Sequence, residues 1–89
     1  MIVTAEVSLY PLKDTFEPAI ITFIKSLNSI DDIEVYTHSM STYVIGESSH
    51  VFDALRTAFE SIAGSVDTSS LVIKMVNRKL PVEKGFLEF

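Results

Sequence analysis

Residues 2–10 alternate: Val3, Ala5, Val7 and Leu9 fall on one side, Thr4, Glu6, Ser8 and Tyr10 on the other. Such a period of two predicts a strand with one fully apolar face. Pro11 is expected to end it. Asp14 with Glu17 three positions later reads as a capping box, with Pro18 tolerable in the first turn. The pattern then changes period. Phe16, Ile20, Phe23, Ile24 and Leu27 make one stripe of a helix that ends near Asn28-Ser29. After the polar "SIDD", the run "IEVYTHS" is rich in β-branched and aromatic residues, and "STYVIG" follows almost at once. The two predict a hairpin with its turn near Ser39 to Ser41, closed by Gly46. Ser48 or Ser49 offers an N-cap for a second helix carrying Phe52, Leu55, Phe59 and Ile62, with Gly64 at the place of a C-terminal glycine cap. The last strand is "SLVIKMVNR", with Leu71, Ile73 and Met75 on one face and Val72, Lys74 and Val76 on the other.

The order is β-α-β-β-α-β without repeats or linkers, read as a single domain over residues 1–89. Two βαβ-like halves with right-handed crossovers predict an α+β fold, a ferredoxin-like sandwich with a four-stranded antiparallel sheet and both helices on one face. In strand order 4-1-3-2 the first strand is central. Thr4, Glu6, Ser8 and Tyr10 then lie mid-sheet on a face that no helix covers. That face also carries Ile2, Val72 and Val76, which makes it a candidate for packing against a second sheet.

Composition sharpens this picture. At 89 residues the chain buries only about two thirds of the surface its unfolded form exposes, yet 47% of its residues are hydrophobic. An oligomer is the expected solution. Net charge is −5, and the seven basic residues are scattered apart from Arg78-Lys79 and Lys84, so no basic stripe attracts a nucleic acid. No apolar run approaches the roughly 18 to 20 residues of a membrane span, and the N-terminus lacks a signal peptide's basic flank and cleavage site. A cytoplasmic, membrane-free protein is expected. The absence of cysteine rules out disulfides and thiolate chemistry.

Catalytic signals are nearly absent, and the chain does not read as an enzyme. His38 and His50 stand twelve residues apart with no third ligand at metal spacing. Asp31, Asp32 and Glu34 lack the glycine and ligand alternation of a calcium loop and read as a solvated turn. The three glycines are isolated, so there is no phosphate loop. Tyr10, Tyr36 and Tyr43 invite comparison with sheet-based RNA readers, but the basic motif is missing and the charge sign is wrong. Acylphosphatases share the element order but need an arginine in a glycine-rich loop where this chain has "YPLKD", and metal chaperones of this topology need paired cysteines. What remains is a set of hydroxyls: Ser8 and Tyr10 on the first strand, and Thr37, Ser39, Ser41 and Thr42 around the hairpin. They either serve ordinary turn and strand preferences or line a small polar pocket for a neutral or cationic heterocycle.

Three segments carry a resemblance. Ser8-Leu9-Tyr10-Pro11-Leu12, then Thr42-Tyr43-Val44-Ile45-Gly46, then Val51-Phe52-Asp53-Ala54-Leu55 are similar in order and spacing to the thiamine-binding protein family, the YkoF-like proteins, over about residues 2–78. The resemblance implies a non-catalytic ferredoxin-like domain that binds thiamine or its hydroxymethylpyrimidine moiety without a cofactor. A single-copy member is expected to form dimers or tetramers through its sheets. Thiamine joins an aminopyrimidine to a cationic thiazolium, so a site needs hydrogen-bonding groups, a carboxylate or π-face, and dry walls. On that expectation Ser8, Thr37, Ser39 and Thr42 supply hydrogen bonds, Tyr10 an aromatic wall, and Glu6 an acceptor for the amino group or the cation. The other reading of Glu6 is an interface ion pair with Lys74 on the neighbouring strand. The tail residues Phe86, Leu87 and Phe89 are expected to cover an edge or a neighbour.

Overall fold

A computed structural model describes residues 1–82. The expected role of Phe86, Leu87 and Phe89 lies outside the described residues. The elements are β1 (Ile2–Pro11), α1 (Glu17–Asn28), β2 (Ile33–Thr37), β3 (Thr42–Glu47), α2 (Ser48–Glu60) and β4 (Ser69–Val76). They form one sheet in the order β2-β3-β1-β4 with every pair antiparallel. This is the ferredoxin-like sandwich with the expected strand order.

The alternation in β1 does what its period demands. Val3, Ala5, Val7 and Leu9 enter the core with Val44 of β3, Ala19, Phe23 and Leu27 of α1, and Val51, Ala54, Leu55 and Ala58 of α2. Ile62 and Val66, beyond α2, complete it. Ile73 points to the same side of the sheet, opposite Val7, but on the outer strand it stays exposed.

Helix boundaries differ from expectation for identifiable reasons. α1 is capped by Phe16 with no side-chain hydrogen bond, and the Asp14 capping box does not form. With Asp14 as cap, Pro18 would stand where the first intrahelical N–H is needed, and proline has none. The first such bond instead runs from the Ile20 N–H to the Phe16 carbonyl. α2 follows directly from β3, so Ser48 is already helical, and its N–H donates to the Met1 carbonyl. Its buried stripe is Val51, Ala54, Leu55 and Ala58 rather than one led by Phe52, which is exposed. The small side chains of Ala54 and Ala58 take the inward positions and turn Phe52 outward. Gly64 does not cap the helix: among the described residues no glycine has a positive φ, and the residue that caps α2 is Ser61, whose Oγ donates to the Ala58 carbonyl.

Both β1 and β4 shift at their ends. β1 runs through Pro11 rather than stopping before it, and β4 ends at Val76, two residues early. The chain then turns across the helix-free face. Thr4 Oγ1 donates to the Arg78 carbonyl at 2.8 Å and accepts from the Leu80 N–H at 2.9 Å. Lys79 Nζ reaches Glu34 of β2 at 3.1 Å. The Val82 N–H closes a tight turn onto the Leu80 carbonyl around Pro81, whose fixed φ suits it. Residues 77–82 thus form a strap from β4 over β1 toward β2. It explains why Thr4 and its cross-strand partner Ile45 are 2% and 1% exposed on a side without a helix. The face expected to be bare is partly covered by the chain itself.

Gly46 is a place of close approach. A Cβ there would lie 3.1 Å from the Asp32 carbonyl oxygen and 3.3 Å from Ile33 Cγ2. Asp32 has φ 69°, the one positive value at a non-glycine among the described residues, so the turn into β2 has little freedom to retreat. Gly46→Ala is expected to cost about 1–3 kcal/mol, the range for overpacking. Thermal unfolding checks it: a melting temperature within about 2 °C of the parent, well under the shift 1 kcal/mol produces in a domain this size, would show that the turn yields freely.

Candidate functional site

The pairing of β1 decides which side chains can meet. Glu6 stands opposite Tyr43 of β3 and Lys74 of β4, all on the helix-free face. Glu6 Oε2 accepts from Tyr43 OH at 3.0 Å and from Ser41 Oγ at 3.1 Å. Oε1 faces Lys74 Nζ at 3.9 Å, and that lysine side chain is 79% exposed. One carboxylate oxygen is therefore fixed and the other only loosely engaged, since an exposed pair at this distance contributes little.

The hairpin tip joins this cluster. The His38 N–H donates to the Ser41 carbonyl, closing the turn, and the His38 ring meets Tyr43 edge-on at 5.3 Å and 86°. Met40 projects from the tip, almost fully exposed. The strap supplies the third side. Together Glu6, Tyr43, the tip residues His38 to Ser41, and Leu80, Pro81 and Val82 line a groove of about 650 Å³. Its volume falls in the range of roughly 300–1,000 Å³ that suits small molecules. One end is polar and the strap side apolar.

The sequence-derived candidates are divided by the sheet. Glu6 and Ser39 line this groove. Ser8, Tyr10, Thr37 and Thr42, with Ser39 again, line a smaller cavity of about 180 Å³ beside the hairpin tip. Thr42 pairs with Val7 and Thr37 with Thr42, so both threonines turn toward the helix layer, away from Glu6, Ser8 and Tyr10. Their hydroxyls lie 3.4 Å apart, and Thr42 is buried. Ser39 is the candidate common to both cavities. Sequence reasoning passed over Tyr43, His38 and the strap as site residues. The strand order put Tyr43 on the strand beside Glu6, and the β1–β3 register makes the two direct partners; nothing in the pattern signalled the strap. His50 does not line the groove and sits in a separate depression with Asp31, Asp32 and Asp53. Among the described residues no group of three or more metal-binding side chains is assembled, and no helix is long and apolar enough to cross a membrane.

Fold and groove together define a ferredoxin-like domain that offers a small-molecule-sized site on its sheet. The model of the YKOF-related Family matches residues 2–76, and the chain belongs to that family. Among solved structures, the hypothetical protein MJ1052 of Methanocaldococcus jannascii is 26% identical, with a TM-score of 0.77 covering 88% of this chain and 81% of that one. A candidate thiamine biosynthesis/salvage protein of Thermotoga maritima, TM0486, shares the fold at TM-score 0.83 and 16% identity, covering 94% and 95%. A domain of unknown function, DUF77, from Bacillus cereus does so at 0.77 and 20%, covering 94% and 86%. No curated protein matches the chain.

The hydrogen bond that Tyr43 donates to Glu6 raises the phenol above its ordinary pKa, and desolvation and the carboxylate charge add to the effect. A raised folded value means that the bond stabilises the fold fully below tyrosine's usual pKa of about 10 and that this contribution is lost as pH climbs through the folded value. In Glu6→Gln, Tyr43 is expected to titrate closer to the ordinary value, followed by carbon NMR of the ring. An unchanged titration would remove Glu6 as the cause.

Proposed function

We propose that this protein binds thiamine or its hydroxymethylpyrimidine moiety without catalysing a reaction on it, as a cytoplasmic carrier in thiamine salvage or transport. The observation that carries the reading is the half-engaged Glu6 carboxylate at the polar end of an otherwise apolar groove. An aminopyrimidine presents an amino donor and ring-nitrogen acceptors, and thiazolium presents a positive charge. Glu6 Oε1 can accept from the first or balance the second, displacing Lys74 from a weak pair. The Ser39 hydroxyl is a donor or acceptor for ring nitrogens, and Tyr43 offers an aromatic edge. Leu80, Pro81, Val82 and Met40 supply apolar wall. Family membership and the salvage-related name of the Thermotoga neighbour support the same ligand class. No metal or cofactor is needed for such binding.

A homo-oligomer, dimer or tetramer, formed through the sheet belongs to this proposal. Its support is the apolar surface the strap leaves open: Ile2, Tyr10 and Val72 are each about half exposed on the same face. The same surface favours a second reading, a regulatory or assembly module whose sheet pairs with another copy and takes no ligand.

Calorimetric titration with thiamine and, separately, hydroxymethylpyrimidine, with light scattering on the same sample, separates the two. Saturable binding near one ligand per chain is expected, and a ligand at about 100 times its dissociation constant adds roughly 2.7 kcal/mol of stability, raising the melting temperature by about 10 °C or more. Glu6→Gln is expected to weaken binding by about tenfold, the loss of one charge-assisted contact, with the assembly unchanged. A folded oligomer that takes up neither ligand would favour the assembly module. Loss of the oligomer at unchanged affinity would assign Glu6 to the interface.

A further inference from the structure

Thr4 is a buried hydroxyl on β1, although the next residues on its face along the strand, Ile2 and Glu6, reach solvent and the groove. Its Oγ1 makes two hydrogen bonds, both to the backbone of the strap, at positions 78 and 80. Those two bonds bracket Lys79, whose ammonium is held by Glu34 at the far side of the sheet. The next residues, Leu80, Pro81 and Val82, are the apolar wall of the groove. Thr4 itself does not line the groove. It fixes where one of its walls stands.

We propose that Thr4 is a positioning residue for the ligand groove, holding the strap so that Leu80 to Val82 close its apolar side, and that strap docking and groove occupancy are thermodynamically linked. This rests on the reading of the groove as a ligand site. A ligand touching the strap favours the docked strap, and by reciprocity a docked strap raises affinity for the ligand by the same factor. Valine is a near-isostere of threonine and keeps its strand preference, so Thr4→Val removes the two bonds while retaining the packing. Thr4→Ser restores a hydroxyl at the same place.

Methyl NMR of Leu80 and Val82 in the ligand-free protein reads the wall directly, with amide protection of Ala5 and Val7 as the control for the sheet. In Thr4→Val the strap methyl signals are expected to move toward unstructured values while β1 protection persists; in Thr4→Ser they stay near the parent. Thiamine and hydroxymethylpyrimidine are then titrated into the three proteins. Affinity is expected to fall about tenfold in the valine variant and to stay within about twofold in the serine variant, the scale of one or two net hydrogen bonds. In the parent, exchange of the Leu80 amide is expected to slow at saturation. Strap methyls unmoved in Thr4→Val would overturn the positioning role, and an undocked strap with unchanged affinity would overturn the linkage. If the parent binds neither probe, the carrier reading fails, and the methyl signals still decide whether Thr4 places the wall.

Discussion

β1 is hydrogen-bonded on both sides, to β3 and β4, and that double pairing is the constraint on which the rest of the molecule depends. A strand held at both edges cannot slip by one residue without turning Val3, Ala5, Val7 and Leu9 out of the core and Glu6 into it. The cost of burying an unpaired carboxylate makes the alternative register inaccessible. The same register brings Tyr43 and Lys74 to either flank of Glu6. Core and candidate site are thus two consequences of one alternation, read on opposite faces of one strand.

A helix on one side only leaves the other face of such a sheet to be covered by something. Here the strap covers part of it, using backbone groups that β4 no longer pairs. The contribution is local: Thr4 gains partners for its buried hydroxyl, Ile45 is removed from water, and the uncovered remainder is bounded by a wall. Without the strap, Glu6, Ser41 and Tyr43 would lie on an open surface where water competes for every hydrogen bond. Partial enclosure lowers that competition and gives directional contacts more weight. At the strap's other anchor the Glu34 carboxylate is exposed, and hydrogen bonds from Tyr36 and then Lys79 hold its pKa below the ordinary range.

The strand pattern was legible in the sequence because a period of two over eight residues has no competing interpretation. The order of elements then fixed the strand order, and the apolar face of β1 identified half the core. Helix ends were less legible. Asp14 and Glu17 satisfy a capping motif locally, but Pro18, read as tolerable there, disfavours it by lacking the N–H of the first intrahelical bond, the one to the Asp14 carbonyl. In α2, the large side chains at Phe52 and Phe59 suggested the buried face, whereas the small residues Ala54 and Ala58 occupy it. For the site, grouping hydroxyls by nearness in sequence mixed two faces: Thr37 and Thr42 follow Val7 to the helix side, while Glu6 and Tyr10 do not. The strap was illegible for a different reason. Its anchors join residues more than forty positions apart, and neither Thr4 nor Lys79 differs in type from an ordinary surface residue.

If the groove is the ligand site proposed above, the contacts of Glu6 would let one carboxylate serve it both free and occupied. Tyr43 and Ser41 hold Oε2 by two hydrogen bonds, which orient the group whatever happens at Oε1. Lys74, mostly in water and at the limit of an ion pair, offsets charge without fixing geometry. Exposed pairs of this kind are worth about 0–1 kcal/mol, so a ligand donor that replaces the ammonium gives up little by doing so. A buried, well-formed Glu6–Lys74 pair would have made the opposite case, since breaking it would cost several times more. The weakness of the contact is therefore what leaves Oε1 usable. An orientation enforced by neutral hydroxyls, combined with a displaceable cation, is an arrangement suited to recognising a cationic or amino-bearing heterocycle.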